Sequence, residues 1–145
     1  MSQTPVYDPQ VAAPLDAGEV VGFSLYDELS QELHAYRFQE LADDEDGWFV
    51  LTVGRQGDCV AGNRPGSIVS RLHAEVEAIV GESAVMLTDT SLYGTVVRHL
   101  DGTFSELRRN DSLDLADGDE LFLPSETKAD AVLRFNYVRA PRGRA

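Results

Sequence analysis

The chain has 145 residues, enough for one sizeable core and too few for two, with 43% hydrophobic and 26% charged residues, the usual range of a soluble globular domain. Its 25 acidic against 12 basic residues give a formal net charge of -13, which argues against nucleic acid or an anionic membrane as partner and obliges any anion site to gather its own cations. No apolar run approaches the roughly 20 residues of a membrane helix, the N-terminus lacks the basic and apolar regions of a secretion signal, and the lone Cys59 leaves no internal disulfide; a cytoplasmic protein is the expectation.

Residues 1–19 carry Pro5, Pro9 and Pro14 among small and polar residues and read as a flexible tail, 20–140 as one domain, and 141–145 as a second short tail. Ser24–Tyr36 carries two signals. Ser24 and Asp27 at capping-box-like spacing, with Leu25, Leu29 and Leu33 every four residues, fit a short helix, whereas Val20–Leu25 fits a strand. The acidic run Asp43–Asp46 lacks the alternating ligands and distant Glu of a calcium loop and reads as a solvated turn.

From Trp48 onward the pattern is β. Trp48–Val53 is almost continuously apolar, as expected of a strand covered on both faces, and Trp48, Phe49, Phe135 and Tyr137 are expected in the core. Val76, Ala78 and Val80 alternate with Glu75, Glu77 and Ile79, and Leu133, Phe135 and Tyr137 alternate with Arg134, Asn136 and Val138; a period of two puts one face on a core. Asp46-Gly47, Asp101-Gly102 and Asp117-Gly118 are tight-turn signals, and Thr95–Leu100 and Thr103–Leu107 flank the second as a hairpin. Many short strands between turns indicate a sandwich or barrel.

Four segments carry the chemistry: Val53-Gly54-Arg55, Val69-Ser70-Arg71-Leu72-His73-Ala74, Asp89-Thr90-Ser91-Leu92-Tyr93-Gly94-Thr95 and Leu115-Ala116-Asp117-Gly118-Asp119-Glu120-Leu121. In that order and spacing they resemble the forkhead-associated (FHA) family, whose signature runs as a strand ending in Gly-Arg, then Ser-Arg-x-His, then Ser-x-Asn-Gly-Thr, then Leu-x-Asp-Gly-Asp. The resemblance covers about residues 48–138. It implies an all-β fold, an FHA-type β-sandwich of two twisted, mostly antiparallel sheets, with room for a short N-terminal helix.

The residue types suit a phosphothreonine ligand, which carries about −1.5 to −2 charges and three acceptor oxygens. Arginine offers a fork of donors that stays protonated, and a serine hydroxyl adds one short bond. By the resemblance, Arg55 and Ser70 grip the phosphate with Arg71 beside them, His73 braces the loops from beneath, and Gly54, Gly94 and Thr95 shape the turns. Arg64, near in sequence to that site, is a candidate peptide contact or plain surface decoration, and Leu92 and Tyr93 are further peptide-contacting candidates. Tyr93 stands where the family has an Asn that bonds the peptide backbone, so the phosphate grip is kept while the peptide clamp is altered.

The expected function is therefore phosphothreonine-peptide binding in Ser/Thr-kinase signalling or in assembly of a regulated complex, without cofactor or metal. The alternative is a scaffold of the same fold that binds a protein partner independently of phosphate. Ser70, His73 and Asp89 also compose a hydrolytic set, but no Gly-x-Ser-x-Gly elbow accompanies them, and no enzyme is expected. His34, His73, His99 and Cys59 lack metal-ligand spacing, and Cys59 reads as a small buried hydrophobe. Thr4 before Pro5 is a candidate site of phosphorylation by which the tail itself becomes a ligand.

Overall fold

A computed structural model describes residues 19–41, 48–79 and 84–140. Residues 1–18 of the N-terminal tail with Thr4, the C-terminal tail 141–145, Asp43–Asp46, Asp46-Gly47 and Val80 lie outside the described residues. In chain order the elements are β1 (Val20–Asp27), β2 (Glu32–Arg37), α1 (Phe38–Leu41), β3 (Trp48–Gly54), β4 (Cys59–Val60), β5 (Ala74–Ile79), β6 (Val85–Asp89), β7 (Thr95–Arg98), β8 (Phe104–Leu107), β9 (Ser112–Leu115), β10 (Glu120–Leu123) and β11 (Ala131–Arg139). They form a six-stranded sheet, β2-β1-β11-β10-β7-β8, and a five-stranded sheet, β4-β3-β5-β6-β9. Every pairing is antiparallel except the two-residue β3–β4 ladder.

Inward-facing side chains of both sheets supply one core. Phe23 and Leu25 of β1, Leu133 and Phe135 of β11, and Leu121 and Leu123 of β10 are fully buried, and so are Val53, Val76 and Leu87 of the second sheet. Phe23 stacks on Phe49 across the interior at 6.1 Å between ring centroids and on Phe135 at 5.7 Å. Fully burying such a side chain stabilises the fold by about 1.5–3 kcal/mol, so these layers hold the loops at either rim in place.

The alternations in β5 and β11 place Val76, Ala78, Leu133 and Phe135 inside, as the period of two requires. Asp101-Gly102 closes the hairpin of β7 and β8, where the His99 amide donates to Thr103 O at 2.8 Å and the Gly102 amide to His99 O at 2.9 Å. Asp117-Gly118 turns the chain from β9 into β10. Cys59 is wholly buried, and burial pushes its thiol up to about 11.

The structure decides one open alternative and corrects the reading of β3 and its neighbours. Ser24–Tyr36 follows the strand signal and not the helical one: it is strand, turn and strand, and the single helical turn α1 comes after it. β1 lies between β2 and β11 and gains a ladder on each side, both of which a helix would forfeit. The Asp27 carboxylate does cap, but it caps the β1–β2 turn by accepting from the Leu29 amide at 2.9 Å. Leu29 and Leu33, two of the three leucines of the helical pattern, stand exposed.

β3 is covered on one face only: Phe49, Leu51 and Val53 point inward, while Val50 and Thr52 are half-buried on a face that no further layer among the described residues covers. Trp48 is correspondingly 47% exposed rather than core, its indole N–H donating to Glu77 Oε2 at 3.2 Å. Tyr137 is half-buried at the core's margin, meeting Phe135 edge-on at 4.9 Å, and its hydroxyl accepts from the Val85 amide.

Candidate functional site

Gly54 ends β3 against the Ser70–His73 segment. A Cβ at this position, where φ is +156°, would lie 2.3 Å from Arg71 O and 2.7 Å from both Ser70 O and His73 N, so glycine alone permits the approach. Backbone bonds then zip the two segments together. The Arg55 amide donates to Ser70 O at 3.2 Å, the Gln56 amide to Arg71 O at 2.9 Å, and the His73 amide to Val53 O at 2.7 Å. Arg55 and Ser70, fifteen positions apart in the chain, thus become neighbours at one rim of the sandwich.

The side chains follow from that juncture. Arg55 donates from Nε to Val69 O at 2.5 Å, which fixes the guanidinium and leaves its terminal nitrogens without a carboxylate among the described residues. Arg71 is exposed and equally without one. Four other arginines are compensated, Arg64 by Asp130 at 2.7 Å, Arg98 by Glu120, Arg134 by Glu28 and Glu120, and Arg139 by Asp117, whereas Arg37, Arg108 and Arg109 have no ion pair among the described residues. In a chain of net charge -13, positive charge without a partner beside a serine hydroxyl is what an oxyanion requires.

Ser70 Oγ accepts from the Leu92 amide at 3.1 Å, so the hydroxyl proton is directed elsewhere and can donate to a ligand. His73 lies beneath, fully buried. The Ser70 amide donates to its Nδ1 at 3.0 Å, which places the ring proton on Nε2, and Nε2 donates to Gly94 O at 2.7 Å. Burial lowers the pKa of this imidazole and outweighs the opposing bond to Gly94, so the ring is a neutral strut between two loops.

The 91–94 loop has its own frame. Asp89, also fully buried, accepts from Ser91 Oγ and Thr95 Oγ1, both at 2.7 Å, and Ser91 Oγ accepts from the Gly94 amide at 2.6 Å. Gly94 adopts φ +100°, a conformation that side chains disfavour. Thr90 reaches back to the serine loop through its amide, to His73 O, and through Oγ1, to Leu72 O, each at 3.0 Å. Leu92 and Tyr93 are left 69% and 62% exposed at the tip.

The structure therefore brings Gly54, Arg55, Ser70, Arg71, His73, Leu92, Tyr93, Gly94 and Thr95 to one rim, joined by the bonds above. Arg64 is tied to Asp130 instead, whose carboxyl is held low by that hydrogen bond and by the Ile68 amide at 3.0 Å. Two residues outside the sequence-based set also frame the site. Asp89 anchors the loop, and Arg109 donates from Nε to Ser91 O at 3.3 Å. The Arg108-Arg109 pair in a cation-poor chain was the only trace of the latter in the sequence.

The hydrolytic reading of Ser70, His73 and Asp89 has no geometry behind it, because His73 bonds the serine amide and not its hydroxyl. A different set does form at the far ends of β7 and β8: Asp119 Oδ1 to His99 Nδ1 at 3.0 Å and His99 Nε2 to Ser105 Oγ at 2.8 Å. Ser105 is paired with Val97 in the ladder, and the set ties the hairpin to the β9–β10 turn. Among the described residues no cluster of three or more His, Cys, Asp or Glu is arranged to hold a metal.

No protein-family profile matches the chain, and no curated protein matches it in sequence. Solved structures do match. The N-terminal FHA domain of S. cerevisiae Rad53p in complex with a phosphothreonine peptide shares 18% identity over 81% of this chain and 94% of that one, with a TM-score of 0.62. The FHA domain of human APLF in complex with an XRCC1 bisphospho peptide shares 16% over 79% and 97%, at 0.56. An engineered FHA with a Myc-pTBD peptide shares 21% over 82% and 93%, at 0.63. The chain has the FHA fold.

Proposed function

We propose that the chain is a phosphothreonine-peptide-binding module acting in Ser/Thr-kinase signalling or in assembly of a kinase-regulated complex, and that it is a binder rather than an enzyme. One observation carries the reading: the Arg55 guanidinium and the Ser70 hydroxyl sit on segments bonded together at one rim, and neither is spent on an internal carboxylate. A phosphate held there accepts from the terminal nitrogens of Arg55 and from Ser70 Oγ–H, with Arg71 adding positive charge. The strands keep these donors fixed before the ligand arrives, which lowers the ordering cost of binding. Structures of the same fold bound to phosphothreonine and bisphospho peptides support the assignment.

Labelled threonine peptides, phosphorylated and not, titrated against the wild type and Arg55→Ala, test it. The wild type distinguishes the two peptide pools and Arg55→Ala loses most of that difference; if neither protein distinguishes them, the reading ends. The phosphate-dependent part weakens with salt, since the Debye length falls from about 10 Å at 0.1 M to about 3 Å at 1 M.

Tyr93 favours a second reading. Where an FHA domain usually has an amide to bond the peptide backbone, this chain presents an aromatic ring 62% exposed, a surface suited to a partner that carries no phosphate. Capture of a partner that survives both phosphatase treatment and Arg55→Ala selects that reading over the first.

A further inference from the structure

The set of Ser105, His99 and Asp119 stands at the rim away from Arg55 and Ser70, because β6 ends at Asp89 beside the start of β9 and the β9–β10 turn follows the other end of that strand. Asp119 sits in the turn with its side chain 2% exposed, Oδ2 accepting from the Ala116 amide at 2.9 Å and Oδ1 meeting His99 Nδ1 at 3.0 Å. A carboxylate only accepts, so the neutral imidazole carries its proton on Nδ1 and turns the Nε2 lone pair toward Ser105 Oγ, 2.8 Å away. A hydroxyl within reach of a base, the base itself held by a third group, is the arrangement that activates a nucleophile.

The set is open to small molecules. The His99 side chain is 27% exposed, Ser105 is half-buried, and β8 is an edge strand with a neighbour on one side only. Leu100, largely exposed, lies over Gly118 next to Asp119 and offers an apolar surface beside the set. A base speeds transfer to a hydroxyl by about 10²–10⁴-fold, whereas attack on an ordinary ester also needs amides aimed at the developing oxyanion, each worth about 10²–10³. The amides closest to Ser105 along the chain are committed: Gly102 to His99 O at 2.9 Å and Thr103 to Asp101 Oδ1 at 2.9 Å, while Ser105 itself is paired with Val97 in the ladder. Ser105 is thereby suited to a single transfer from a donor that is already activated, and not to turnover. The exposed Asp101 and the net charge of -13 disfavour an anionic donor.

We propose that Ser105 is a covalent modification site that takes one acyl group from an uncharged activated ester, with His99 as its base and Asp119 as the residue that positions the ring. In the step, the bond from Ser105 Oγ to the acyl carbon forms and the bond from that carbon to the leaving oxygen breaks. The hydroxyl proton passes to His99 Nε2 and from there to the departing oxyanion, which leaves as the alcohol or phenol. The modification is independent of the phosphothreonine reading, since none of the three residues belongs to that site.

The test incubates the full chain with p-nitrophenyl acetate and reads its tryptic peptides by mass spectrometry, where cleavage after Arg98 and Arg108 isolates residues 99–108 with Ser105. Ser112, an exposed serine bonded to the Thr88 hydroxyl, is the reference within the same molecule. Acetyl is expected on Ser105 about 100-fold or more faster than on Ser112, the lower end of what a base supplies. His99→Gln removes the preference, and Asp119→Asn, which favours the wrong ring tautomer, lowers it at least about tenfold, each without changing the labelling of Ser112 and in protein that melts above the assay temperature. A purely structural set leaves Ser105 no more reactive than Ser112, and that result in the wild type overturns the proposal even if a variant fails to fold. Acetyl lodged on His99 or Thr103 in place of Ser105, or a Ser105 preference that survives His99→Gln in folded protein, overturns it as well.

Discussion

His73 joins the two loops of the proposed phosphate site by bonds at 3.0 and 2.7 Å, from the Ser70 amide and to the Gly94 carbonyl, and its removal separates their effects on stability and on binding. In His73→Ala two backbone groups lose their partner at a fully buried position, each costing about 1–3 kcal/mol, and a cavity opens where the ring was. The sum is about 3–5 kcal/mol, a large share of the 5–15 kcal/mol that keeps an ordinary domain folded. At this chain length that amounts to a fall in melting temperature of about 10–20 °C. His73→Leu fills most of the space while deleting both bonds, so it isolates them from the cavity. Calorimetry of the two variants, and peptide titration at a temperature where both are folded, give the two readouts. The reasoning requires His73→Leu to melt well below the wild type and to bind phosphopeptide more weakly, because Ser70 is no longer aligned with the 91–94 loop. A His73→Leu protein within 2 °C or so of wild type, with unaltered affinity, would refute it.

Arg55→Ala removes charged hydrogen bonds worth about 1.5–3 kcal/mol, so affinity for phosphopeptide falls about 10- to 150-fold by fluorescence anisotropy while affinity for the unphosphorylated peptide is unchanged. Gly54→Ala forces a Cβ into the Ser70–His73 backbone and lowers stability by at least about 1–3 kcal/mol in chemical denaturation, with a loss of peptide affinity that Gly102→Ala, open around its Cβ, does not share. Arg64→Ala breaks an exposed ion pair and changes stability by about 1 kcal/mol or less, with phosphopeptide affinity within twofold or so of wild type in the same anisotropy assay.

The carboxyl of Glu28 is raised from 4.5 to about 7, first by burial and then by Glu120 beside it, against the pull of Arg134. The folded state therefore binds more protons than the unfolded one between those values, and wild-type stability declines as pH climbs from about 4.5 to 7. Glu120 is also pushed up by burial, but its bonds from Glu28, Arg98 and Arg134 outweigh that and hold it below 4.5, so its stabilising contribution is lost only at lower pH. Melting of Glu28→Gln against wild type from pH 5 to pH 8 shows the difference: the variant gains relative to wild type as pH rises, and a constant offset would contradict this account.

The strands with clean alternation were legible because the period of two states which face is buried, as at Val76 and Ala78 or Leu133 and Phe135. β1 and β2 were ambiguous because leucines four apart imitate a helix, and only the ladder to β11, more than a hundred residues away, decides between the two. β3 misled in the opposite direction: a continuous apolar run implied two covered faces, yet the sheet on which it lies has a single partner layer. At the site, Arg55 and Ser70 could be paired from motif order, whereas the pairing of Arg64 with Asp130 spans 66 positions and leaves no local trace. The same is true of Arg109, whose bond to Ser91 O depends on how the β8–β9 connection folds over the loop.

The hydrogen bond from the Leu92 amide to Ser70 Oγ makes the site self-reporting. That amide proton is lost to solvent only when the hydroxyl lets go, so a ligand that pins the hydroxyl also slows isotope exchange at Leu92, although it need not touch that residue's backbone. One resonance in a deuterium-exchange series then registers occupancy of the cradle, whichever peptide fills it.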